Sequence, residues 1–158
     1  MRKFCLGFEK EGCDKHTLKY VLDASVALKW ILADETYQEN STRLKETFLT
    51  GTIQVFAPSF IVQETANALW LAVKQKRIQQ TDAQDALDLL QNAELNLHEL
   101  SWTESSEVLA IACKIDVAVY DVAYLFLSNK MEAQLITADD RLFEKSKGQF
   151  NVIHLKDY

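Results

Sequence analysis

Glycine and proline are nearly missing from this chain, which has 4 Gly and 1 Pro in 158 residues. That scarcity argues against an all-β protein full of tight turns and favours long helices with short connections. No apolar run approaches the roughly 18 residues of a membrane-spanning helix. The basic start at residues 1–8 meets Glu9, Lys10 and Glu11 too soon to be a signal peptide. A cytoplasmic protein with no membrane association is therefore expected. The 3 cysteines form no CxxC pair. A Cys5–Cys13 bridge is open on spacing, but nothing else marks a secreted chain, so the thiols are read as reduced. Positive charge is in deficit as well, with 17 Lys and Arg against 23 Asp and Glu and a net charge of −6. That balance weighs against a simple nucleic-acid-binding module, which is usually basic. It weighs less against a nuclease whose acids are neutralised by metal.

What is present is ordinary for a soluble domain: 48% hydrophobic and 25% charged residues, in a length that buries one core without staples. Residues 1–19 have no sustained periodicity and are read as an N-terminal extension, with a single domain at 20–158. YVLD at 20–23 is a short apolar strand ending in an acid, followed by a helix entered at Ser25. A second helix is expected over 37–50, stopped by Gly51. IQVFA at 53–57 reads as a strand closed by Pro58. A long helix follows over 59–77, with Lys74, Lys76 and Arg77 in its last turn, where cations suit the dipole. The next helix runs 81–93 with Thr81 as its cap, then a strand 95–100 and helices 103–114 and 121–130. A strand 133–137, a short helix and a last strand 151–155 complete the chain. Strands joined through helices call for a mainly parallel sheet covered on both faces, a three-layer α/β/α sandwich.

In open parallel sheets, ligands bind beyond the carboxyl ends of the strands. The polar residues expected there are acids: Asp23 after the first strand, Glu64 early in the long helix, Asp121 opening the apolar helix, and Asp139 just past the fourth strand. Each has a plain alternative. Asp23, Asp121 and Asp139 could cap helices, and Glu64 could be a solvated helix residue. As a set they are harder to explain, because carboxylates ~4 Å apart repel by roughly 4 kcal/mol per pair at an effective dielectric near 20. Either some stay protonated or a cation lies between them. Oxygen donors favour Mg²⁺ or Mn²⁺, the setting for metal-assisted phosphodiester hydrolysis.

With YVLDASVALKW, APSFIVQETANAL and VAVYDVAYLFLSNKMEAQLITADDRL in order, the chain resembles PIN-domain ribonucleases, in particular the VapC-type toxins of toxin–antitoxin pairs. The resemblance covers nearly everything from Tyr20 onward. It implies a five-stranded parallel sheet, a homodimer, an RNA substrate, a cognate antitoxin and Mg²⁺ or Mn²⁺ held by Asp23, Glu64, Asp121 and Asp139. Ser25, Asn67 and Thr137 would support those ligands. The chain departs from the family in residues 1–19, which are either an upstream start or a segment affecting dimerisation. It also has few groove cations, the candidates being Lys29, Lys74, Lys76, Arg77 and Arg141.

His16, His98 and His154 fit no zinc or triad spacing, and the last two are read as ordinary strand histidines. Trp30, Trp70 and Trp102 are read as core or dimer-interface residues. Two other functions compete. A catalytically silent PIN-like RNA- or protein-binding module would have no need to retain four repulsive acids. A phosphatase of the haloacid-dehalogenase type needs an acid two residues after Asp23, where Ser25 stands. A receiver domain needs adjacent early acids, which are missing.

Overall fold

Strand formation tracks the apolar runs. In the computed structural model, which describes residues 17–32 and 36–158, β1 (Leu18–Leu22), β2 (Ile53–Pro58), β3 (Asn96–His98), β4 (Gln134–Thr137) and β5 (Val152–His154) form one sheet. All neighbours pair in parallel, in the order β3-β2-β1-β4-β5. Adjacent residues Val21 and Leu22 on β1, and Leu135 and Ile136 on β4, are fully buried. Both faces of the sheet are therefore covered, as parallel pairing requires. Cys5, Cys13 and His16 lie outside the described residues, as does nearly all of the expected extension.

The helices are α1 (Ala24–Ile31), α2 (Gln38–Leu49), α3 (Ile61–Lys74), α4 (Gln80–Asn92), α5 (Trp102–Ile115), α6 (Val119–Lys130) and α7 (Asp140–Ser146). Helix α6 lies on β1, β2 and β4, with α5 packed over it. Helix α1 packs on β4 and α2 on β2, and α1 also meets α3 and α4. The three-layer α/β/α architecture expected from the sequence is the one found. The apolar face of α6 supplies Val122, Leu125 and Leu127 to the core, opposite Val26 and Ala27 of α1 and Leu44 of α2. No helix among the described residues is long and apolar enough to cross a membrane.

Several boundaries differ from expectation. Leu18 and Lys19, placed in the extension, are the first rungs of β1, paired with Ile53 and Gln54. Leu18 is 63% exposed, so backbone pairing rather than burial makes this stretch a strand, and no hydrophobic pattern marks it. Helix α3 stops at Lys74, leaving Lys76 and Arg77 beyond its last turn. The Lys76 amide donates to Val73 O and the Arg77 amide to Ala72 O, both at 2.9 Å, with Lys76 left-handed at φ 60°. This is a Schellman closure built without glycine. Helix α4 is capped by Gln79 and Asp82 in a reciprocal box rather than by Thr81. Of the tryptophans, Trp30 is buried and stacks on Phe48, but Trp70 and Trp102 are exposed, the latter 95%. His98 and His154 lie on β3 and β5 as expected.

Candidate active site

The chain runs outward from β1 to β3, then returns to β4 on the other side of β1, so the winding order reverses between β1 and β4. At such a reversal the connections leave the two strands in opposite directions and open a crevice at their carboxyl ends. Both strands run into an acid there. Asp23 follows β1, and its amide donates to Ile136 O of β4 at 3.1 Å. The Asp23 side chain is buried and stands at the N-cap position of α1, yet makes no capping hydrogen bond. Its Oδ2 instead accepts from Ser25 Oγ at 2.6 Å and Thr137 Oγ1 at 2.7 Å. Each hydroxyl passes the connection onward. Ser25 Oγ accepts from the Ala138 amide and Thr137 Oγ1 from the Asp139 amide, both at 3.0 Å. Two hydroxyls thus lock the end of β1 to the segment that leaves β4.

Asp139 does cap its helix, with Oδ1 accepting from the Arg141 amide at 2.7 Å and the Leu142 amide at 3.1 Å. Asp121 does not: Ala118 holds the N-cap position of α6 and Asp121 lies in its first turn. Glu64 lies in the first turn of α3, where Oε2 accepts from the Tyr124 hydroxyl at 2.5 Å. Tyr124 follows Asp121 by one helical turn.

The electrostatics link all four acids. Burial holds the Asp23 carboxyl above the usual carboxylate range; the Ser25 and Thr137 hydrogen bonds oppose this and the charge of Asp139 adds to it. Glu64 is raised first by burial, against the Tyr124 hydrogen bond, and further by Asp23 and Asp121. Burial also raises Asp121, with Asp23 and Asp139 adding and Arg141 opposing. The Tyr124 phenol is pushed far above its ordinary range by burial, then by the charge of Asp23 and by Glu64. Asp23, Glu64 and Asp121 are therefore each raised by the charge of at least one other acid of the set.

The donor set is entirely oxygen, the chemistry that hard divalent cations take. The acids are neighbours without being in ligating contact. Among the described residues, no three Asp, Glu, His or Cys side chains have the spacing to close on an ion as they stand.

Of the remaining expected residues, Ser25 and Thr137 contact Asp23 directly, whereas Asn67 is exposed on α3 and takes no part in the network among the described residues. Among the candidate groove cations, Lys29 is buried on α1 and Lys74 lies over the Trp70 ring, 5.1 Å from its centroid. Arg141 acts on one of the acids, its charge opposing the rise of the Asp121 carboxyl. Tyr124 escaped the sequence reading. Its only sequence signal is the three-residue offset from Asp121, which also describes any core residue of an apolar helix.

Ribonuclease VapC3 of Pyrobaculum aerophilum is 28% identical over 129 residues, 81% of this chain and 95% of that protein. The crystal structure of PAE2754 from Pyrobaculum aerophilum aligns with a TM-score of 0.66 at 21% identity, covering 89% of this chain and 85% of that one. VapBC2 from Rickettsia felis, solved bound to a DNA fragment from their promoter, aligns at 0.62 with 13% identity, covering 87% and 98%. The PIN domain family model matches residues 20–148, a span that contains the reversal in strand order and every acid described above, and the chain accordingly belongs to the PIN domain family.

Proposed function

We propose that this chain is a metal-dependent endoribonuclease and the toxin of a toxin–antitoxin pair, with Asp23, Glu64, Asp121 and Asp139 holding Mg²⁺ or Mn²⁺ against an RNA phosphodiester. One observation carries the reading. A buried Asp23 is fixed by two hydroxyls beside Asp139, and its field reaches Glu64 and Asp121. Such a set would repel a phosphate, so the acids make sense as a substrate site only when neutralised. The likeness to Ribonuclease VapC3 supports RNA as the substrate.

The chain's own residues would divide the work. Ser25 and Thr137 hold Asp23 in one orientation, which spares the site reorganisation as charge develops. Asp121 accepts no hydrogen bond among the described residues and keeps both oxygens open, which suits it to orient the attacking water and take its proton. The water oxygen bonds to phosphorus, the P–O bond to the leaving ribose oxygen breaks, and that oxygen takes a proton from solvent. Arg141, at the rim, would steer the phosphate. A bound divalent cation supplies neutralisation of the acids and stabilises charge on the phosphate and leaving oxygens.

The likeness to VapBC2 supports an antitoxin partner, which would mask the acids with a basic side chain. A homodimer and a cytoplasmic location belong to the same reading, with the catalytic domain starting at Leu18 and the residues before it forming an extension. The test is incubation of the purified, metal-stripped chain with a mixed RNA pool, with and without Mn²⁺ or Mg²⁺. Metal-dependent cleavage that falls at least about a hundredfold in Asp23→Asn is expected. No cleavage with either metal, or cleavage untouched by that substitution, would overturn the reading.

A further inference from the structure

We propose that Tyr124 is the positioning residue for Glu64, fixing through its hydroxyl which carboxylate oxygen is left for the cation; this role rests on the metal reading above. The Tyr124 side chain is 1% exposed, so its hydroxyl has no access to water and needs a protein partner. It donates to Glu64 Oε2 at 2.5 Å, across from α6 to α3. The amide of Ala24, the residue after Asp23, also acts on the phenol oxygen. One hydroxyl therefore joins α6 to the first turn of α3.

The ring is held as well as the hydroxyl. Phe60, at the N-cap position of α3, meets Tyr124 edge-on at 5.6 Å and Tyr120 at 5.2 Å. Glu64 follows Phe60 by one turn, so the residue that braces the tyrosine ring begins the helix that carries the acid. An unrestrained glutamate has three side-chain torsions to fix. Capture of Oε2 by a buried phenol removes most of that freedom. Oε1 accepts no hydrogen bond among the described residues and is the oxygen left to ligate. Tyr124 thus does for Glu64 what Ser25 and Thr137 do for Asp23, from a different element and with a longer reach.

The alternative is that Glu64 merely satisfies a buried tyrosine. Calorimetric titration of the full chain with MnCl₂, beside Tyr124→Phe, Glu64→Gln and the double variant, separates the two. Phenylalanine keeps the ring and its packing, and thermal melting verifies that each variant is folded. The expected result is an Mn²⁺ dissociation constant about tenfold weaker in Y124F, the usual scale for losing a group that orients a metal ligand. On the E64Q background the same change should move the constant less than about twofold, since there is no carboxylate left to orient. Wild-type affinity in Y124F beside a weakened E64Q overturns the positioning role and leaves the metal reading standing. Equal, additive losses in both backgrounds also overturn it. Wild-type affinity in E64Q overturns the metal reading and the positioning role together.

Discussion

Thr137 has no exposed surface, and its hydroxyl does two jobs: it donates to Asp23 and accepts from the Asp139 amide. Replacing it with valine keeps the shape and strands both partners. Thr137→Val should therefore lower stability by about 1–3 kcal/mol in urea denaturation, the cost of buried polar groups left unpaired. Asp23→Asn is expected to behave in the opposite way. Burial already disfavours the ionised carboxyl, so a neutral isostere that still accepts the two hydroxyls relieves a strain present at neutral pH. The metal-free D23N protein should melt at or above the wild type at about pH 7.5 while losing nuclease activity. A D23N protein that melts clearly lower would show that the aspartate is there for the fold. A residue that lowers stability while enabling chemistry is the signature of a functional site.

Among the helices, α3 ends in an unusual way. Lys76 adopts the left-handed conformation where glycine is the normal choice. Lys76→Gly should raise stability by roughly 0.5–1 kcal/mol, because relief of the left-handed penalty exceeds the entropy glycine brings to the unfolded chain. Thermal melting reads the sign directly. The same helix shows where sequence reasoning stops. Its apolar spacing marks the body of the element clearly. Its end is set by a backbone closure that needs no particular side chain, so Lys76 and Arg77 were expected inside it. Caps behaved similarly. Gln79 with Asp82 caps α4, although Thr81 is the stronger side-chain signal. In α5 the Ser101–Glu104 box is spelled S-x-x-E, and the helix it opens starts at Trp102, one residue before the expected start. The acids were legible because strand ends and helix starts can be read from local pattern, and topology then brings them together. Tyr124 was not, because its meeting with Glu64 spans 60 residues and depends on how α6 lies against α3.

The whole molecule carries a net charge of −6, and the buried Asp23 with the half-buried Glu64 and Asp121 concentrates part of that at one end of the sheet. Asp23, Glu64 and Asp121 have folded pKa values above their unfolded ones, so the native state holds more protons through the carboxylate range. Their contribution to stability is greatest below the unfolded values and is lost as pH rises through the folded ones. Glu104 works in the other direction. Hydrogen bonds from Lys130 and Ser101 hold its carboxyl far below the ordinary range. Its contribution is present above the unfolded value and is lost only in strong acid, so it stays constant near neutrality. In chelator, the melting temperature should therefore rise as the pH is lowered from neutrality toward the ordinary carboxylate range. Added Mn²⁺ should raise it more at the higher pH, where the acids are ionised and binding stabilises the folded state by mass action. A pH-independent melting temperature would contradict the crowding of these acids.

The hydroxyl clasp on Asp23 has a further consequence in time. Thr137 follows Asp23 by 114 residues, and the two strands behind them are adjacent rungs, Leu22 facing Ile136. Their separation is inherited from the ~4.8 Å repeat between neighbouring strands, not from any loop. A chain emerging from the ribosome therefore cannot assemble the pocket until β4 has been synthesised and has docked beside β1. Formation of the pocket is thereby tied to a strand far along the chain, and not to the local segment that carries Asp23.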